Sequence, residues 1–169
     1  DPQRASGKGH HTSRHERRSK MEKSITMDFR DCIENVLQFK EVDVNQYSPL
    51  VLAYIGDCVY DLIIKSMIIN NGNKQVNKLH EETSHLVQAS AQSLMMRTMQ
   101  EHLNEEEHAV YRRGRNAKSV SPAKNQSITD YRRATGFEAL VGYLYLKKRY
   151  ARLMELIKIG LDSLENKEK

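Results

Sequence analysis

The 169-residue chain has no tryptophan, three prolines and only two cysteines, and each scarcity removes a class of protein. Cys32 and Cys58 carry no framework spacing, so a disulfide scaffold is excluded and two reduced thiols of a cytosolic protein are expected. The polar, basic N-terminus lacks the apolar core of a signal peptide. The apolar run over 50–69 is long enough to span a bilayer, but Asp57, Asp61 and Lys65 interrupt it. A core helix, no membrane association and a cytoplasmic location are therefore expected. There is no glycine-rich phosphate loop, no period-2 strand pattern and no internal repeat. What remains is an all-α chain long enough for one domain with a real core.

Positive charge is concentrated. The net charge is +5, yet residues 1–20 hold six Lys/Arg against two acids, and residues 111–133 hold seven against Asp130 alone. The rest of the chain is therefore acidic, and a localised polyanion site is implied rather than general stickiness. Residues 1–20 have almost no apolar side chain and are expected to be a disordered basic leader. Two origins are open for it: sequence foreign to the natural chain, upstream of Met21 or Met27, or a native arm that helps to hold RNA. Residues 21–169 are expected to form a single domain.

Helical signals begin after Met27. Phe29, Cys32, Ile33, Val36 and Leu37 recur at helical spacing. Ser48 and Pro49 supply an N-cap and a first helical residue, and Gly72 a left-handed stop, for a helix over about 48–70. Helices are expected near 74–82 and 84–101, with Leu86, Leu94, Met95 and Met99 facing inward. A short helix should run from Asn104 to a close at Gly114, with Glu105–Glu107 at its positive end and Arg112 and Arg113 at its negative end. Thr129 should start the next helix, through "FEALVGYLYL", and 149–165 the last. His80 and His85 of "HEETSH" are five apart and leave one helix face, so a zinc helix is not expected.

Two acids stand where an apolar helix has no use for them. Asp57 sits between Ile55 and Val59, and Asp61 follows at i+4 on the same face. Asp61 has a structural alternative in Lys65, also at i+4. Gly56 costs about 1 kcal/mol relative to alanine inside a helix, so another backbone or a substrate is expected to approach there. Glu138 stands in "GFEALVGYLYL" in the same odd setting. Two carboxylates from two buried helices make an oxygen-donor site suited to Mg²⁺, with Mn²⁺ as a substitute, and to phosphodiester hydrolysis. Cys58 is expected to be a buried small residue.

"YIGDCVYDL" resembles the signature helix of the ribonuclease III family, and "FEALVGYLYL" resembles that family's second acidic helix. With "RRGRNAKS" between them, the chain is most similar to the Mini-ribonuclease III branch, which consists of the nuclease domain alone. The resemblance covers about 45–160. It implies a helical ribonuclease III endonuclease fold, a homodimer, and a metal-dependent endoribonuclease that cleaves double-stranded RNA. It also implies a substrate in precursor large-subunit ribosomal RNA. Asp57 and Glu138 match the family's catalytic metal ligands. The two signature glutamates fall at Leu50 and Ala53, and the second helix's aspartate at Thr135, so a four-carboxylate shell is not expected. Asp61 and Asp130 are nearby acids that no family motif assigns to the site.

The basic segment supplies Arg112, Arg113, Arg115, Asn116, Lys118, Lys124, Arg132 and Arg133 as candidate RNA-binding residues. Contacts of this kind reach phosphates and give affinity rather than base sequence. No aromatic platform for stacking single-stranded bases accompanies them, which favours duplex RNA read by shape. A non-catalytic double-stranded-RNA-binding or ribosome-associated module of the same fold is the competing expectation.

Overall fold

The structure, a computed structural model, describes residues 29–118, 127–167 and 169. The expected leader over 1–20, Pro122 and Lys124 lie outside the described residues. Among the described residues every regular element is helical, as expected, with no strand. Residues up to Val42 and residues from Asp43 onward form two separate compact units.

The first unit contributes helix α1 (Phe29–Val36), braced by an Arg30–Glu34 ion pair of 3.1 Å at i,i+4. Its apolar residues Phe29 and Val36 are exposed, as is Leu37 just after it.

The second unit holds the core. Helix α2 (Pro49–Ile69) starts where the sequence says it should, because Ser48 Oγ accepts from the Val51 N–H at 3.3 Å and Pro49 is the first helical residue. Such a cap is worth about 1 kcal/mol. Beyond its C-terminus Gly72 takes a φ of +106°, a conformation that side-chain-bearing residues rarely adopt. Helices α3 (Val76–Val87) and α4 (Ala89–Met99) follow, with Met95, Met96 and Met99 buried and Leu86 and Leu94 half-buried. Helix α5 (Glu105–Asn116) opens with a full capping box: the Glu107 N–H donates to Asn104, and the Asn104 N–H donates to the Glu107 carboxylate.

Helix α6 (Ile128–Leu146) is the axis of this unit and packs on α2, α4, α5 and α7 (Tyr150–Glu165). Residues 134–144 are buried except Glu138, which is half-buried. Phe137 meets Tyr60 of α2 edge-on at 4.9 Å between ring centres. The Tyr60 hydroxyl donates to the Leu86 carbonyl at 2.7 Å, so burying its ring leaves no orphaned donor.

Three local expectations are corrected. Gly114 does not close α5, which continues to Asn116; Gly114 is buried, and a Cβ there would lie 2.8 Å from that of Ala139 and 2.9 Å from the Gly136 Cα. Its missing side chain serves helix packing, not termination. Helix α6 begins at Ile128, one residue before the expected Thr129, with Ser127 as its cap, whose Oγ accepts from the Asp130 N–H at 3.2 Å. Cys58 is exposed, because the side of α2 carrying Tyr54, Cys58 and Leu62 is turned outward.

Candidate active site

Asp57 and Glu138 come together because α2 and α6 touch backbone to backbone. A Cβ on Gly56 would lie 1.8 Å from the Glu138 carbonyl oxygen, and one on Gly142 would lie 1.9 Å from that of Leu52. No side chain fits at either position. The close approach expected of Gly56 is therefore made by the backbone of α6, at the very residue that carries the second carboxylate.

Asp57 is exposed at this crossing and Glu138 half-buried beside it. The Glu138 carboxyl is pushed up to about 8, first by burial, then by the charge of Asp57 and by the hydrogen bond between the two carboxyls. Two carboxylates this close resist double ionisation. Glu138 therefore keeps its proton at neutral pH in the metal-free protein.

The donor set fits a hard divalent cation. Both groups are carboxylates, and among the described residues no group of three or more His, Cys, Asp or Glu side chains gathers anywhere. A two-carboxylate site suits an ion that keeps several of its waters. The other nearby acids are engaged elsewhere. Asp61 pairs with Lys65 at 2.9 Å, the structural alternative, and Asp130 accepts from Ser93 Oγ at 2.7 Å.

The basic candidates occupy the facing ends of two helices. Arg112, Arg113, Arg115 and Asn116 end α5, Lys118 follows, and Arg132 and Arg133 lie in the opening turns of α6. Arg112, Arg113, Asn116, Lys118 and Arg132 are exposed. Arg115 is half-buried with its guanidinium 5.6 Å above the Tyr111 ring.

Comparison with known proteins agrees with this geometry. The ribonuclease III domain family matches residues 50–149, which include both carboxylates. The chain belongs to the ribonuclease III family. A Mini-ribonuclease 3 of Clostridium tetani is 51% identical over 129 residues, 76% of this chain and 85% of that protein. One of Thermoanaerobacter is 43% identical over 145 residues, 86% of this chain and 99% of that protein. A crystal structure of a Fusobacterium nucleatum protein superposes with a TM-score of 0.65 at 28% identity, covering 70% of this chain and 97% of that one. Ribonuclease III enzymes are metal-dependent, in keeping with the paired carboxylates.

Two networks that steady this ribonuclease III fold around the site escaped sequence reasoning. Glu107, 1% exposed, accepts from Arg152 Nε at 3.0 Å and Nη2 at 2.9 Å, tying the start of α5 to α7. Glu106 accepts from the Tyr143 hydroxyl and from Arg149 at 2.9 Å. The capping-box spacing marks Glu107 as special, but nothing in the sequence points to a partner 45 residues away. A cavity of about 680 Å³ lies elsewhere, lined by Met67, Leu86, Leu94 and Leu164 among others. Among the described residues no helix is long and apolar enough to cross a membrane.

Proposed function

We propose that Asp57 and Glu138 form the hydrolytic centre of a Mg²⁺-dependent endoribonuclease that cuts double-stranded RNA as a homodimer in the cytoplasm. The observation that carries this is the pair of carboxylates from α2 and α6, held at a glycine-on-backbone crossing in a ribonuclease III chain. When bound, the ion supplies charge stabilisation at the phosphodiester and activation of water.

The protein's own residues do the rest. Asp57 and Glu138 would hold the ion, each as its carboxylate. The exposed basic ends of α5 and α6 bind duplex phosphates, together with Lys124 of the connecting segment. Their contribution is affinity and orientation, not proton transfer.

The homodimer rests on α2. Val51, Tyr54, Leu62 and Ile69 recur along one side of that helix and are exposed, Tyr54 by 77%. An apolar stripe of this length calls for a partner surface. A second copy fits, because a two-fold dimer presents two identical sites to the two strands of a duplex. By the same family likeness, we assign the substrate to a stem in precursor large-subunit ribosomal RNA.

The test is to incubate the protein with a long RNA duplex, with and without Mg²⁺, and to map the ends. Mg²⁺-dependent internal cuts in both strands are expected. Binding without cutting would favour the non-catalytic alternative. Sedimentation at micromolar concentration should give a dimer, and a monomer alone would remove that part of the reading.

A further inference from the structure

One acid stands inside the basic segment. Residues 111–133 carry seven Lys/Arg, and Asp130 is their only negative side chain. A carboxylate among groups that attract phosphates opposes them by simple Coulomb repulsion, so its presence there calls for a use.

The structure turns this acid inward. Asp130 is half-buried, and its Oδ1 accepts from Ser93 Oγ at 2.7 Å. Ser93 is 1% exposed, in the middle of α4. The Asp130 N–H donates to Ser127 Oγ at 3.2 Å. The first turn of α6 is thus fastened twice through one residue, to its own cap and to a neighbouring helix. An acid in a first turn also meets the positive end of the helix dipole, but that benefit needs no Ser93. The bond to Ser93 joins residues 37 apart and does something more: it fixes which way the turn faces. Arg132 follows Asp130 by two residues, about 200° around the helix. With Asp130 turned onto α4, Arg132 is turned outward, and it is exposed.

We propose that Asp130 is a positioning residue for duplex RNA. Its contact with Ser93 sets the rotation of the first turn of α6, and with it the direction in which Arg132 is presented. Asp130 itself touches neither the RNA nor the ion. The proposal deepens the duplex-RNA reading and rests on it. Glu138 lies eight residues further on, where the backbone crossing with α2 holds α6 independently. Loss of the Asp130 contact therefore appears in binding and not in the chemical step.

The experiment compares four variants of the full chain: Asp130→Ala, Ser93→Ala, the two combined, and Asp130→Asn, which keeps an oxygen acceptor for Ser93 but no charge. Three quantities are read: Kd for a defined RNA duplex without Mg²⁺, kcat at saturating RNA with Mg²⁺, and Tm without RNA. Asp130→Ala and Ser93→Ala should each raise Kd about threefold to tenfold, the range a single hydrogen bond is worth. The combined variant should be no weaker than the worse of the two, because both remove one contact. Asp130→Asn should bind as tightly as the unsubstituted protein, and kcat should hold throughout. Tighter binding by Asp130→Ala would overturn the proposal by leaving only a charge among phosphates. A lowered Tm with unchanged Kd would overturn it by making Asp130 a helix-stabilising residue alone. Additive losses in the combined variant, or a Kd in Asp130→Asn as high as in Asp130→Ala, would overturn it by removing the contact as the cause. Ser93→Ala changes no charge and keeps the test decisive if Asp130→Ala does not fold. An unsubstituted protein that neither binds nor cuts duplex RNA would instead defeat the underlying reading, before any variant is compared.

Discussion

Replacing Gly56 by alanine tests the crossing on which the site depends. The new Cβ would start 1.8 Å from the Glu138 carbonyl oxygen, and an ordinary contact near 3.4 Å opens the helices by about 1.6 Å. The obstructing atom is backbone inside α6, so no rotamer change relieves it. Overpacking costs about 1–3 kcal/mol, and a backbone obstruction belongs at the upper end. Alanine's better helix propensity returns about 1 kcal/mol. A net loss of about 2 kcal/mol lowers Tm by about 4–8 °C in a chain of 150–250 residues. The same opening draws Asp57 from Glu138, and a misplacement of about 1 Å can cost about 100-fold in rate. Thermal unfolding and duplex cleavage measured on Gly56→Ala give both numbers. An unchanged Tm together with an unchanged rate would refute the close approach and its link to the carboxylates.

Three further outcomes follow from the same structure. In metal-free protein Glu138 keeps its proton up to about pH 8 when folded but ionises near 4.5 when unfolded. The stability this contributes is present below about pH 4.5 and is lost as pH rises toward 8. The Tm advantage of the native protein over Glu138→Gln should shrink across that range, and an advantage that grows with pH would contradict the shifted carboxyl. Arg152→Met should destabilise by about 3–5 kcal/mol in urea, because it strands the buried Glu107 carboxylate; a loss below about 1 kcal/mol would show the pair to be dispensable. Replacing Arg112, Arg113, Arg115 and Lys118 by alanine should flatten the salt dependence of duplex binding, by about 0.9 in log–log slope per lost phosphate contact; an unchanged slope would make these residues mere surface.

The parts of the fold legible in the sequence are those whose signals are local. Ser48, Pro49 and Gly72 bounded α2 to within a residue or two, and Asn104 marked the start of α5. The pairing of the two carboxylates was legible for a different reason: a carboxylate inside an apolar helix costs enough to need a purpose, and both Asp57 and Glu138 stood out on that ground. Gly114 misled because helix ends and helix crossings both favour a missing side chain, and only the position of Gly136 and Ala139 decides between them. Ser127 and Thr129 are both competent caps two residues apart, so the start of α6 was ambiguous. Cys58 was misplaced because α2 is apolar almost all round, which hides the side that faces outward. The Glu107–Arg152 and Ser93–Asp130 contacts join residues 45 and 37 apart, and no periodicity encodes such pairs.

The most direct measurement of the central claim is duplex RNA cleavage and binding by Asp57→Asn and Glu138→Gln, side by side with Mg²⁺ present. Each substitution removes one carboxylate of the proposed metal-binding pair while leaving every arginine and lysine in place. Both variants should lose cleavage and still bind the duplex nearly as tightly as the native protein. Continued cutting by both would contradict the assignment of Asp57 and Glu138 as the metal-binding pair.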